Sequence, residues 1–183
     1  MTTSGLVFTR EVSKTSLPKL FETNFVYGYG STAAAVMFIG EAPGEQEDLE
    51  KKPFVGKSGQ LLTDHIKEYL GLTREQVYIT NIVKQRPPGN RKPTLKEMLS
   101  HRQFLMEEIK CVQPELIVTL GKSALEGLCE KEISVITPYV NNEFKWKGYC
   151  IIPNYHPAAL LHSNEYTKLF GEVFQHIKEK FDE

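Results

Sequence analysis

Hydrophobic positions along this chain follow two patterns. Four short runs are almost continuously apolar and rich in β-branched residues: Ala35–Ile39, Val77–Thr80, Leu116–Leu120 and Tyr149–Ile152. Runs that short and that uniform suit strands covered on both faces. Between them, apolar residues recur at three- and four-residue spacing, first as Leu61, Leu62, Ile66, Tyr69 and Leu70, then as Phe104, Leu105, Ile109 and Val112. That spacing lays one apolar stripe along one side of a helix. A third stripe (Phe170, Val173, Phe174, Ile177 and Phe181) predicts a C-terminal helix over 166–181. Strands alternating with helices require crossovers between parallel neighbours. The expected fold is therefore α/β: a three-layer α/β/α sandwich with a central, mainly parallel four-stranded sheet. A short antiparallel excursion is expected over Ser134–Trp146. No repeat, low-complexity segment or linker interrupts the pattern, so the 183 residues read as a single domain over 1–183.

Composition narrows the class. With 40% hydrophobic and 25% charged residues, disordered and fibrous classes are excluded. A net charge of −1 excludes a generally basic nucleic-acid coat and leaves a local basic patch open. Cys111, Cys129 and Cys150 are odd in number and form no CxxC, so they read as reduced, buried thiols. Residues 1–12 include Arg10 and Glu11, lack an apolar core and read as no secretory leader. The longest apolar run, Ala33–Ile39, falls far short of the roughly 20 residues a membrane span needs. These features point to the cytoplasm, or the nucleus or nucleoid if the ligand is DNA, with no membrane partner.

Parallel sheets bind ligands beyond the carboxyl ends of their strands. The segments there are Gly40–Asp48, Asn81–Pro93, Gly121–Ser123 and Pro153–Pro157, all rich in Gly, Pro and polar residues. The first has glycines at both ends of Glu41-Ala42-Pro43 and allows close backbone approach, but contains neither a P-loop nor GxGxxG. Read alone, it is equally a solvated acidic turn. Phe54, between lysines and glycines, is either a core residue or a stacking platform. Asn81, with one acceptor and two donors, can read a base edge or close an Asx turn. From Ile82 to Lys96 there are five basic residues (Lys84, Arg86, Arg91, Lys92 and Lys96) and no acidic one, as suits phosphate contacts. His156 precedes Pro157 on the last segment, where a carboxylate from the first could join it for hydrolysis without a cofactor.

Three ordered motifs then resemble one family. They are Gly40-Glu41-Ala42-Pro43-Gly44 through Glu47-Asp48 to Pro53-Phe54-Val55-Gly56 and Gly59-Gln60-Leu61-Leu62; Tyr78-Ile79-Thr80-Asn81-Ile82-Val83-Lys84 with Arg86-Pro87-Pro88 and Asn90-Arg91; and His156-Pro157-Ala158-Ala159-Leu160-Leu161. Together they resemble uracil-DNA glycosylases of family 4, the iron–sulfur group, over most of the chain. The resemblance implies an enzyme that flips uracil out of DNA and hydrolyses its N-glycosidic bond, leaving an abasic site without lyase chemistry. Phe54 would stack on uracil, Asn81 would bond its Watson–Crick edge, and Gly40 and Ala42 would line the same pocket. His156 would donate to the charge developing on O2. Glu41, with Glu47 or Asp48 as rival, would position water; classical family members place Asp where this chain has Ala42. Lys84, Arg86, Arg91 and Ser123 would contact phosphates, and Leu160 would wedge into the stack.

Two departures stand out. Family 4 holds a [4Fe–4S] cluster on four cysteines, and the corresponding positions here are Ser13, Ser16, Gln85 and His101. Four-thiolate ligation cannot be met by these residues, so neither metal nor cofactor is expected. A lysine, Lys51 or Lys52, also replaces the glycine usual before Pro53. The expected partner is uracil-containing DNA, bound by a monomer. The rival class is a non-catalytic DNA-binding or replication-accessory protein that keeps the fold. A nucleoside hydrolase accounts poorly for the basic stretch and Leu160.

Overall fold

The apolar runs pair side by side. In a computed structural model that describes residues 18–182, they form strands β2 (Val36–Gly40), β3 (Tyr78–Asn81), β4 (Leu116–Leu120) and β6 (Tyr149–Asn154). These four are mutually parallel, in the order β3-β2-β4-β6. Two antiparallel edge strands extend the sheet to six: β1 (Tyr29–Gly30) beside β3, and β5 (Phe144–Trp146) beside β6. The expected four-stranded parallel sheet is thus the centre of a larger, mixed one. β5 falls inside the expected antiparallel excursion. β1, two residues long, has too few positions to show any alternation.

Alternate residues of each central strand face opposite layers. Met37, Ile39, Ile117 and Ile151 pack with Leu105, Ile109 and Leu125 on one side. Phe38, Ile79, Val118 and Ile152 pack with Leu62, Ile66 and Phe174 on the other. The first layer is built by helices α3 (Leu95–Val112) and α4 (Lys122–Cys129), the second by α2 (Lys57–Leu70) and α5 (Asn164–Asp182). Each fully buried side chain of this kind contributes about 1.5–3 kcal/mol. α3 starts where Thr94 accepts from the Glu97 amide while the Glu97 carboxylate accepts from Thr94 N–H, a reciprocal cap that fixes the end of the basic stretch.

The acidic segment after β2, which could be read as a turn, contains a short helix, α1 (Glu45–Glu50). The strands end in register, Gly40 opposite Asn81 and Leu120 opposite Asn154. Chain order reverses between β2 and β4, which opens a crevice beyond their carboxyl ends. Ser13 and Ser16 lie outside the described residues.

Candidate active site

The crevice holds a cavity of about 360 Å³ lined by Glu41, Ala42, Phe54, Asn81, Arg91 and His156, among others. A second hollow of about 420 Å³ shares Glu41 and His156 with it and continues to Lys122 and Ser123 at the start of α4. Residues singled out in three strand-end segments therefore converge on one space.

Gly40 is required by close packing. A Cβ there would lie 2.4 Å from both Asn81 Oδ1 and the Phe54 ring. Asn81 is buried, and its Oδ1 accepts no hydrogen bond. A buried acceptor left unpaired costs about 1–3 kcal/mol, and one at a cavity wall is poised for a ligand donor.

Phe54 adopts a left-handed backbone (φ 52°), a conformation that costs a bulky residue about 1–3 kcal/mol. Two neighbours hold it there. The Arg74 guanidinium donates to the carbonyls of Pro53 and Phe54, and Glu47 Oε1 accepts from Val55 N–H at 2.9 Å and Gly56 N–H at 2.8 Å. The Phe54 ring, 5% exposed, sits 6.0 Å from the His156 ring at a 33° tilt.

His156 opens a 3₁₀ turn over Pro157–Leu161, and its Nδ1 accepts from Ala158 N–H at 3.1 Å. That bond puts the proton of the neutral ring on Nε2. Burial pushes the pKa of His156 down to about 4, against the opposing pull of Glu47. The ring is thus neutral near pH 7, with one N–H free to donate.

Of the two candidate carboxylates, Glu47 is committed to three main-chain amides, the third being Gly44 N–H at 3.1 Å. It staples α1 to the Phe54 loop. Glu41 is half-buried and faces both hollows. Asp48 caps Asn24 instead.

The basic stretch differs from expectation. Lys84 is fully buried, with its ammonium 2.6 Å from Glu108 Oε2, Thr80 Oγ1 and the Asn81 carbonyl. A phosphate cannot reach it, so the expected phosphate contact is corrected to a buried brace beneath Asn81. Burial pushes its pKa down, and Glu108 counteracts that shift. Arg86 lies 3.8 Å from Glu45, Arg91 forks onto Glu97 at 2.7 and 2.9 Å, and Lys92 meets Glu126 at 3.0 Å. Partly exposed pairs of this kind are worth only about 0.2–1 kcal/mol, so a phosphate can compete for these three cations. Ser123 is buried in the first turn of α4, at the second hollow. Leu160 is half-buried against the α2–α5 core, whereas Leu161 beside it is 52% exposed.

The pattern of the uracil DNA glycosylase superfamily matches residues 27–178. The chain belongs to that superfamily. Type-4 uracil-DNA glycosylases of Sulfurisphaera tokodaii and Saccharolobus solfataricus are each 44% identical to it, over 87% and 92% of this chain and 76% and 82% of their own. That of Thermotoga maritima is 41% identical, over 87% of this chain and 84% of its own.

The iron–sulfur cluster implied by the resemblance to family 4 does not fit the two corresponding positions that are described, Gln85 and His101. Gln85 donates through Nε2 to the carbonyls of Phe21 and Thr23 and accepts through Oε1 from the amides of Leu20 and Phe21. His101 Nδ1 accepts from Lys84 N–H at 2.9 Å, and Nε2 stands 2.8 Å from the Pro18 carbonyl. Neither residue is a thiolate, and the polar atoms of both are engaged. The cysteines lie elsewhere: Cys111 exposed, Cys129 half-buried and Cys150 buried. Their expected uniform burial therefore holds for Cys150 alone. Sequence reasoning also missed Arg74, Glu108 and the stapling role of Glu47. Arg74 acts on Phe54 20 positions away, Glu108 on Tyr78 30 positions away and Glu47 on Val55 8 positions away, contacts that the local sequence does not show.

Proposed function

We propose that this protein excises uracil from DNA by hydrolysis of the N-glycosidic bond. The unpaired acceptor of Asn81, a side chain that lines the same cavity as a neutral His156, carries the reading. Uracil presents a donor at N3 and acceptors at O4 and O2. Asn81 Oδ1 takes the N3–H, and its amide nitrogen donates to O4. Cytosine, with an acceptor at N3 and a donor at C4, meets the opposite pattern. Phe54 supplies the stacking face. As the bond between C1′ and N1 lengthens, its electron pair moves onto the base. His156 Nε2–H meets the charge appearing on O2, an interaction whose loss typically costs about 3–4 kcal/mol in the transition state. Water held by Glu41 attacks C1′ and passes its proton to that carboxylate, giving a C1′ hydroxyl and the uracil anion, which takes up a proton from solvent on release.

Arg86, Arg91, Lys92 and Ser123 surround the mouth as phosphate partners, and the 3₁₀ turn carrying Leu160 and Leu161 fills the gap left by the flipped base. The protein acts as a monomer in the cytoplasm, or in the nucleus or nucleoid with DNA. No described helix is long and apolar enough to cross a membrane.

Release of uracil from a uracil-containing oligonucleotide tests the reading. Asn81→Ala and His156→Ala are each expected to slow it about a hundredfold or more while DNA binding persists. Glu41→Gln is expected to cost more activity than any other glutamate substitution at the cavity. No release by the wild type, with His156→Ala binding DNA equally well, would establish the non-catalytic alternative.

A further inference from the structure

We propose that Arg74 is a positioning residue for base excision: it holds the Phe54–Val55 peptide from the carbonyl side while Glu47 holds it from the amide side. The inference rests on the cavity being a uracil site.

Arg74 lies between α2 and β3, and it is absent from the residues that line the cavity. One of its terminal nitrogens bonds the Phe54 carbonyl and, at 3.1 Å, Thr63 Oγ1 on α2; the other bonds the Pro53 carbonyl. A single planar fork thus spans two successive carbonyls and is itself tied to a helix. The N–H of the same Phe54–Val55 peptide points at Glu47. Turning that peptide over would break bonds at both of its ends.

The surroundings pack closely against this peptide and its ring. A Cβ at Gly59 would come within 2.1 Å of the Phe54 carbonyl, so the first turn of α2 sits directly under this peptide. Gly40 receives the ring edge at the opposite side. A left-handed Phe persists only where its neighbours over-determine it. Arg74 is fixed in turn, its guanidinium 5.8 Å from the Tyr29 ring, on which Lys52 also sits at 3.9 Å. Tyr29 OH donates to Glu75 at 2.9 Å. An ammonium cannot reproduce the fork, so lysine is a poor substitute. Without Arg74 the peptide is held from its amide side alone, so Phe54 can relax from the left-handed backbone and its ring can shift from the stacking position while Asn81 and His156 stay.

A double-mutant cycle tests this. Single-turnover uracil release and thermal midpoints are measured for wild type, Arg74→Ala, Arg74→Lys, Phe54→Ala and the two double variants. Each Arg74 substitution is expected to lower kcat/KM roughly ten- to a hundredfold in the wild-type background. In the Phe54→Ala background the same changes are expected to cost less than about twofold, since the group they position is gone. The acid limb set by His156 stays where it is in wild type. Equal losses in both backgrounds would mark general loosening and overturn the proposal, as would an Arg74→Ala enzyme of wild-type activity. If Arg74→Ala does not fold, the lysine variant carries the cycle. Wild-type protein that releases no uracil overturns the uracil reading and this proposal with it. An active wild type with Arg74 uncoupled from Phe54 overturns this proposal alone.

Discussion

Asn81 and His156 show how single side chains are prepared at a cost to the fold. Asn81 holds a buried acceptor with no partner, and His156 is kept from protonating by its surroundings. The folded pKa of His156, about 4, lies below its ordinary value of 6.5, so below pH 6.5 the unfolded chain binds more protons than the folded one. The stabilisation is therefore complete above pH 6.5 and is lost as pH falls towards 4, by about 3 kcal/mol. His101, whose pKa burial also lowers, adds to the same trend. Denaturation midpoints measured from pH 8 to pH 4 should fall accordingly, and His156→Gln should flatten the curve. Excision should lose activity only near pH 4, where Nδ1 gains its proton. Lys84 and Glu108 form the other costly pair, both fully buried. Removing one partner strands the other, so Glu108→Ala should cost about 3–5 kcal/mol by chemical denaturation, with Lys84→Met plus Glu108→Leu much milder. That His156 and Asn81 would share one sheet edge was legible in the sequence, because both fall in the segments that end strand runs. Lys84 was not, because its neutralising partner lies on α3, 24 residues away, and nothing local distinguishes a buried lysine from a solvated one.

At the scale of elements, the periodic helices and the four apolar strand runs were read correctly, whereas α1 and β1 were not. α2, α3 and α5 each repeat their apolar stripe over several turns, so the pattern survives local exceptions. α1 and β1 are decided instead by contacts: the Glu47 staple and pairing with β3. The segment from Pro18 to Thr23 is likewise held from outside itself, by Gln85 and His101. Gln85→Leu would leave two amides and two carbonyls without their partner. The expected loss is about 2–4 kcal/mol, or about 5–15 °C in thermal midpoint. Hydrogen exchange should localise it to the Leu20 and Phe21 amides. In the 3₁₀ turn after His156, the two leucines divide their work by exposure. Leu160→Ala should lower the thermal midpoint, whereas Leu161→Ala should leave it unchanged and slow excision more in double-stranded than in single-stranded DNA. Equal effects of the two substitutions on both readouts would refute that division.

For the whole molecule, the charge distribution changes character on folding. A stretch with five positive charges and no negative one meets Glu45, Glu97, Glu108 and Glu126 from other elements, so its field is largely local. DNA affinity should accordingly come from the few cations a phosphate can win. Arg91→Gln is expected to reduce the slope of log affinity against log salt by about 1, and Lys84→Gln is expected to leave the slope unchanged. Titrations at several salt concentrations distinguish the two.

The crevice also has a developmental consequence. Phe54, Asn81 and Glu41 belong to the part of the chain before α3 ends, and His156 and Ser123 to the part after it. The two meet where β2 pairs with β4 and where α2 packs on α5. A half-made, nicked or misfolded copy holds a reader without its acid, or an acid without its reader. Competence is thus tied to long-range pairing across the centre of the sheet. During refolding, uracil release should return with the slowest spectroscopic phase and never ahead of it.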